Sequence, residues 1–285
     1  MTGPAGATGF VDLHMHSAAS DGSRAPGDVV RAAKRAALAA IALTDHDTVA
    51  GLAEARTLGA ELGIRVINGV ELSAVEGETE THLLGLHLRD TAVLERALGE
   101  LREMRGRRAA RIVELLQSQG VQVTLDDVLL QAGTGAIGRP HVARALVADG
   151  WATDVRDAFD RYLGAGRPAY VAKDQLGMRE AIAMIHGAGG LAVLAHPGSA
   201  GTRERIEPLV AMGLDGVEVK HPSHSPQDTA RLRACVDQLG LIPSGGSDWH
   251  GAADGPRTIG MMQVPIEWLR RQDERIDARG RAPAA

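Results

Sequence analysis

From Phe10 onward the chain alternates short apolar runs with alanine-rich amphipathic segments, and its polar chemistry repeatedly falls where an apolar run stops. That alternation is the pattern of successive strand and helix units, in which helices cover a largely parallel sheet. "GFVDLHMHS" reads as a strand, and after "SDGSRAP" a helix begins near Pro26 and continues through "GDVVRAAKRAAL". "AAIALTDHD" and "AGLAEARTLGAELG" repeat the unit. "IRVINGVELSAV" and "ETETHLLGLHLRD" read as two strands paired across an acidic turn. Over residues 91–166 the rhythm gives way to helical periodicity, with "AVLERALGELREMRGRRAARIVELLQSQG" the longest amphipathic stretch and three shorter helical segments behind it. The strand and helix units then resume with "MREAIAMIHGAGG", "LAVLAHPG", "RERIEPLVAMG", "DGVEVKHPSH", "PQDTARLRACVDQLG" and "LIPSGGSDWHG". The expected organisation is a discontinuous α/β domain over 10–90 and 167–270, an inserted helical subdomain over 91–166, and a flexible polar tail over 271–285. Such a chain closes into a βα barrel or forms an open α/β sheet. Both place ligands at the carboxyl ends of the strands.

Several function classes are disfavoured by bulk properties. The formal charge of −5, from 31 basic and 36 acidic residues, argues against a generally cationic nucleic-acid coat, so stable DNA binding is not expected. Aromatics at 2% give no broad platform for stacking single-stranded bases. Cys235 is the only cysteine, which excludes internal disulfides and thiol-rich metal sites. "MTGPAGATG" lacks the basic and apolar regions of a secretory signal, and no apolar run is long enough to cross a bilayer. A cytoplasmic protein without membrane partners is expected.

His14 and His16 lie two residues apart on a predicted strand, so their side chains share a face with Asp12. Adjacent imidazoles suit a divalent cation, although an H-x-H pair is also read plainly as two half-buried, hydrogen-bonded histidines. Asp21 in "SDG" is a ligand or a turn carboxylate. Asp45, His46 and Asp47 crowd the end of the second strand more densely than a structural strand end requires. Glu71 sits in the apolar run "VINGVEL", where an ionised carboxylate needs a partner. His82 and His87 are five apart on one strand and face opposite ways, so at most one reaches such a site. His196 ends "LAVLAHPG", while Asp248 and His250 share a face in "GSDWH" after a glycine pair that permits close backbone approach. Each has a plain structural explanation, but strand ends carrying only His, Asp and Glu jointly predict a metal site.

In order and spacing, "DLHMHSAASDG", "ALTDHDT", "GVELS", "THLLGL", "GRPHVA", "VLAHPG", "HPSHS" and "GSDWHG" resemble the polymerase and histidinol phosphatase (PHP) superfamily. Within it they are similar to the branch of small bacterial enzymes acting on nucleoside 3′,5′-bisphosphates, nucleoside monophosphates or short RNA ends. The resemblance implies a distorted seven-stranded βα barrel with a helical insertion and a trinuclear metal cluster. It implies that His14, His16 and Asp248 hold a first metal, that Glu71 bridges it to a second held by His82 and His196, and that Asp21, His46 and His250 hold a third. It therefore selects His82 over His87. Other branches often carry histidine where Asp21 stands. Lys220 departs from the aromatic residue that relatives often have there.

The expected activity is hydrolysis of phosphate monoesters of small nucleotides by metal-bound hydroxide, with His14, His16, Glu71, Asp248 and His250 acting through two or three divalent ions. Mixed nitrogen and oxygen ligation fits manganese, with iron or zinc as alternatives. Arg139 and His141 at a helix start, Arg167, Lys220 and His224 are the expected substrate-binding residues, and His221 or His224 is a candidate proton donor. His186, in a last helical turn, is explained by the dipole there. Rival readings are a 5′–3′ exoribonuclease on short RNA, a histidinol-phosphate phosphatase, and a non-catalytic metal-binding regulatory module.

Overall fold

The computed structural model describes residues 9–77, 79–132, 137–171, 176–252, 255 and 257–281. In chain order the elements are β1 (Phe10–Asp12), α1 (Pro26–Arg35), β2 (Ala40–Leu43), α2 (Leu52–Leu62), β3 (Arg65–Glu76), β4 (Thr79–Leu86) and α3 (Thr91–Ser118). Then follow α4 (Leu125–Ala132), α5 (Arg139–Ala148), α6 (Val155–Ala158), α7 (Met178–Gly187), β5 (Leu191–Leu194), α8 (Arg203–Ala211), β6 (Gly216–Lys220), α9 (Pro226–Leu239), β7 (Ile242–Gly245), β8 (Val264–Pro265) and α10 (Ile266–Arg281). The chain divides into two compact units, Met1–Glu95 with Leu176–Ala285, and Arg96–Gln175. The division falls inside the uninterrupted helix α3, not at its start.

The first unit is an α/β barrel whose strands run in the order β7-β6-β5-β4-β3-β2-β1-β8. β1, β2 and β3 are parallel, as are β5, β6 and β7, while β4 is antiparallel to both neighbours because it returns from β3 through a hairpin. Beyond the regular strands, the segment after β7 joins the segment after β1. Leu13 donates to the Gly245 carbonyl at 3.1 Å, Asp248 to that of His14 at 2.8 Å and His16 to that of Trp249 at 2.9 Å. These bonds nearly close the sheet. Every residue of β2 and β5 is buried, as expected of parallel strands covered on both faces. The count exceeds the expected seven by β8, a two-residue strand antiparallel to β1 that is too short for any alternation to reveal.

Helix boundaries follow local chemistry. α9 starts where the Ser225 hydroxyl accepts from the Asp228 amide at 3.1 Å and ends at Gly240 with φ 65°, a left-handed conformation open to glycine without steric cost. α10 corrects the expected flexible tail, since residues 271–281 complete a helix across the amino-terminal ends of the strands. Its stripe of Trp268, Leu269, Gln272 and Ile276 is buried, each apolar member contributing about 2 kcal/mol. The polar sequence hides this packing because its arginines serve backbone carbonyls: Arg275 donates to Gly240 at 2.8 Å and Arg279 to Gly190 at 2.9 Å. The second unit has its own core, in which Ile112, Leu116, Val123, Val142, Leu146 and Leu163 are buried together.

Candidate metal centre

Glu71 is the hub of the carboxyl-terminal end of the barrel. It lies inside β3, is 1% exposed, and is stitched to the end of β2 by Glu71 N–H to Asp45 O at 3.1 Å and Asp47 N–H to Glu71 O at 2.9 Å. Its Oε2 lies 3.0 Å from His14 Nε2, 3.1 Å from His16 Nε2 and 3.5 Å from His46 Nε2. Its Oε1 lies 2.9 Å from both His82 Nδ1 and His196 Nε2. One carboxylate thus gathers imidazoles from five places in the chain.

Asp248 and Asp21 gather the rest. Asp248 Oδ1 is 3.2 Å from His16 Nε2 and 3.5 Å from His14 Nε2. The exposed Asp21 lies 3.3 Å from His250 Nε2, 3.6 Å from His16 Nδ1 and 3.9 Å from His46 Nε2. All nine residues proposed as ligands therefore converge. Of the two histidines on the β4 segment, His82 reaches Glu71 and His87 bonds Gln272 of α10 at 3.1 Å, as opposite faces require.

The neighbours of these residues do supporting work. Asp12 shares the first strand but accepts the amides of Ser247 at 2.9 Å and Gly260 at 2.8 Å, so it fixes loops and does not join the cluster. Asp45 accepts from Ser17 and Ser20, and Asp47 from the Ser73 amide, which leaves His46 as the cluster member of that triplet. Gly246 is required because a Cβ there would collide with His14. His196 at φ 28° and Asp248 at φ 51° hold left-handed conformations unusual for their residue types, a form of strain that concentrates at functional sites.

The electrostatics show why hydrogen bonds alone do not complete this cluster. Burial disfavours a charged His14, yet the Glu71 and Glu218 carboxylates outweigh it and hold the imidazole well above its usual range. Burial likewise disfavours ionised Glu71, but the histidines, His14 foremost, hold it well below the carboxylate range. Burial, joined by the charges of His16 and His82, pushes His46 down. The Nε2 atoms of His14 and His16 face each other at 3.2 Å, where at most one proton fits between them. His16 Nδ1 is buried without a hydrogen-bond partner among the described residues. A divalent cation would satisfy these facing lone pairs at once. Donors within 4.8 Å of one another form the sets His14, His16, Glu71, Asp248; His16, Asp21, His46, His250; and His46, Glu71, His82. The nitrogen and oxygen donors fit borderline divalent metals.

Three residues beyond the expected ligands adjoin the centre. Glu218, wholly buried in β6, lies 3.1 Å from His14 Nδ1. His221 Nε2 is 3.2 Å from Asp248 Oδ2 and its Nδ1 is 2.7 Å from Ser223 Oγ, so this buried ring braces a proposed ligand. Arg257 pairs with the same carboxylate. A sequence signal for Glu218 exists: "GVE" at 216–218 repeats "GVE" at 69–71, each a carboxylate inside an apolar strand.

The expected substrate-binding residues are not drawn into the cluster. Lys220 Nζ donates to the carbonyls of Met262 at 3.1 Å and Gln263 at 2.9 Å. His224 donates through Nδ1 to Val219 O at 3.0 Å and accepts the Gly198 amide at Nε2 at 3.2 Å, so both nitrogens are engaged and the ring ties two loops together. His186 pairs with Asp215 at 2.9 Å, a bond that fixes it more firmly than the helix dipole alone. In the second unit, the Arg139 guanidinium lies 5.8 Å from the Phe159 ring and 5.6 Å from that of Tyr170. His141 Nδ1 accepts the Gly138 amide at 3.0 Å, and Arg167 is exposed.

The PHP domain pattern matches residues 12–187. The chain is 39% identical over 258 residues to the 3′,5′-nucleoside bisphosphate phosphatase of Chromobacterium violaceum, covering 88% of this chain and 90% of that protein. It is 37% identical over 247 residues to the 5′–3′ exoribonuclease Rnm of Escherichia coli, covering 84% of each. A Bifidobacterium adolescentis structure, described as a candidate metal-dependent phosphoesterase, superposes with a TM-score of 0.71 at 34% identity, covering 96% of this chain and 98% of that one. Barrel, clustered donors and these likenesses agree, and the chain belongs to the PHP domain family.

Proposed function

We propose that this chain is a metal-dependent phosphoesterase that removes phosphate from small nucleotides, with a nucleoside 3′,5′-bisphosphate as first substrate and a nucleoside monophosphate as second. The observation that carries the chemistry is Glu71 with five imidazoles within 3.5 Å of its two oxygens, a donor arrangement complementary to divalent cations. Similarity to the Chromobacterium violaceum phosphatase supports the choice of substrate.

We assign two to three divalent ions, manganese first. His14, His16 and Asp248 would hold one, His82 and His196 would hold a second shared through Glu71, and Asp21, His46 and His250 would hold a third. Bound there, such ions activate water near neutral pH and neutralise phosphoryl oxygens. The protein's own part is orientation. The buried carboxylates fix which imidazole nitrogen faces inward, and the strained backbones of His196 and Asp248 turn their side chains to Glu71 Oε1 and His16 Nε2. Arg167 is exposed and has no side-chain partner among the described residues, which supports it as the grip for a second phosphate. Arg139 and His141 are secondary candidates.

No helix among the described residues is long and apolar enough to cross a membrane, and Cys235 is a buried free thiol. We place the protein in the cytoplasm, acting on free nucleotides.

A second reading, trimming of short RNA from its 5′ end, is favoured by the similarity to Rnm. One assay separates the readings. Manganese-loaded protein is offered a 3′,5′-bisphosphate, a nucleoside monophosphate, histidinol phosphate and a 5′-phosphorylated oligonucleotide, with released phosphate and shortened products both measured. Fastest turnover of the bisphosphate supports the proposal. Preference for the oligonucleotide replaces it with the exoribonuclease, and inactivity on all four leaves a metal-binding module.

A further inference from the structure

We propose that Glu218 is a positioning residue for the cation centre, its one carboxylate fixing both the tautomer of His14 and the backbone of His196. This rests on the reading that the cluster holds divalent cations.

Glu218 occupies the middle of β6, flanked by buried Val217 and Val219, and is itself 0% exposed. An ionised carboxylate at such a place is costly unless several donors meet it. Three contacts do so. Oε1 and Oε2 lie 3.1 and 3.3 Å from His14 Nδ1, and Oε2 accepts the backbone N–H of His196 at 2.8 Å.

The first pair of contacts determines which His14 nitrogen carries hydrogen. A carboxylate can only accept, so Glu218 retains a proton at Nδ1, and Nε2, which faces Glu71 Oε2 at 3.0 Å and Asp248 Oδ1 at 3.5 Å, is the nitrogen that would exchange its proton for a cation. A negative partner also makes the ring a stronger ligand. The third contact acts just beyond β5. His196 stands at φ 28°, and its amide bond to Glu218 helps hold that strained backbone while the ring reaches Glu71 Oε1 at 2.9 Å. Two rings from distant strand ends are thus set by one buried group from a third strand.

Glu218 also falls with His14 and His221 in a set of donors within 4.8 Å of one another. Direct ligation there would require His14 to bind a cation through Nδ1 while Nε2 faces the main cluster, and His221 Nε2 is already turned to Asp248. The positioning role needs no such arrangement.

The test titrates metal-free full-length protein with Mn²⁺ by calorimetry and records melting temperature, kcat and KM. Glu218→Gln keeps the shape and removes the charge. Asp215→Asn, another buried carboxylate but one bonded only within the scaffold, is the reference. Glu218→Gln should bind the same number of ions as wild type, with affinity about 10- to 100-fold weaker and kcat reduced more than KM is changed. Asp215→Asn should lose thermal stability with Mn²⁺ affinity unchanged.

Unaltered affinity in Glu218→Gln overturns the proposal, and so does loss of a whole equivalent of bound ion, which marks a direct ligand. If the glutamine variant does not fold, Glu218→Asp is titrated, with the charge kept and its reach shortened. A several-fold loss of affinity then supports the proposal, and none overturns it. Wild-type protein that binds no Mn²⁺ defeats the metal reading itself, whereas wild-type binding beside an unaffected variant defeats only the role of Glu218.

Discussion

The two ends of the barrel carry similar residue types arranged by opposite rules. At the amino-terminal end, the buried Asp215 and the half-buried Asp273 meet complementary donors. Asp215 accepts from Arg279, lies 2.9 Å from His186 Nε2 and accepts the Ala192 amide at 2.9 Å, while Asp273 receives both arms of Arg65. At the carboxyl-terminal end imidazoles crowd one another: His16 lies 4.2 Å from His250 and 4.6 Å from His46, ring centre to ring centre. Two facing nitrogens remain, and a third, His16 Nδ1, has no hydrogen-bond partner among the described residues. A closed set of pairs is scaffold, and an open set of lone pairs is a cation site. The presence of histidine and aspartate at both ends shows that residue type alone does not make this distinction.

The comparison breaks most sharply if variants at the two ends behave alike. The largest effect is expected for His14→Ala or Asp248→Asn, which should reduce phosphate release on the order of 10³-fold or more while circular dichroism retains the wild-type fold. Retained turnover would move the chemistry elsewhere. Next, chelation should abolish turnover and added Mn²⁺ restore it. With Mn²⁺ at about 100 times its dissociation constant, binding should stabilise the fold by about 2.7 kcal/mol, roughly 4–5 °C of melting temperature for a chain of this size. An apoprotein that melts at the holoprotein's temperature would contradict the open-lone-pair account.

At the scaffold end, Asp215→Asn should cost about 2–3 kcal/mol in chemical denaturation with kcat unchanged, the lower end for a buried pair because Arg279 is part-exposed. A variant equally stable but inactive would reverse the roles assigned to the two ends.

The same residue sharpens the comparison through pH. Burial raises the Asp215 carboxyl, but the His186 bond, the Ala192 amide and Arg279 outweigh it and hold the group below its ordinary 3.8. A depressed carboxyl gives stability that is present above 3.8 and lost as pH falls through the lower folded value. The stability gap between wild type and Asp215→Asn should therefore shrink in acid, measured by urea unfolding at pH 7 and below pH 3.8. A constant gap would remove the electrostatic explanation. The smallest effect is expected for Lys220→Met, about two-fold or less in KM, since its amine already serves two carbonyls.

Several features were legible in particular residues. The apolar runs marked the strands, Pro26 marked the start of α1, and the five-residue spacing of His82 and His87 showed that only one could reach the site. α10 was concealed because "RRQDERIDARG" has the composition of a solvated tail, and its stability comes from carbonyls at strand starts that no local pattern displays. Lys220 and His224 are expected substrate contacts from their place beside a strand end, and the backbone carbonyls and amide they also bond could not be read from the sequence.

By itself the sequence determined the α/β alternation and the gathering of histidines and carboxylates near strand ends, because strand periodicity and the cost of burying ionised groups act locally, while the set of nine proposed ligands came from the family resemblance. Tertiary structure alone decided which donors share Glu71, that Glu218 stands behind His14, and that the last helix covers the scaffold end. Those are consequences of sheet closure, which brings residues 14 and 218 within hydrogen-bonding distance across 204 positions of chain.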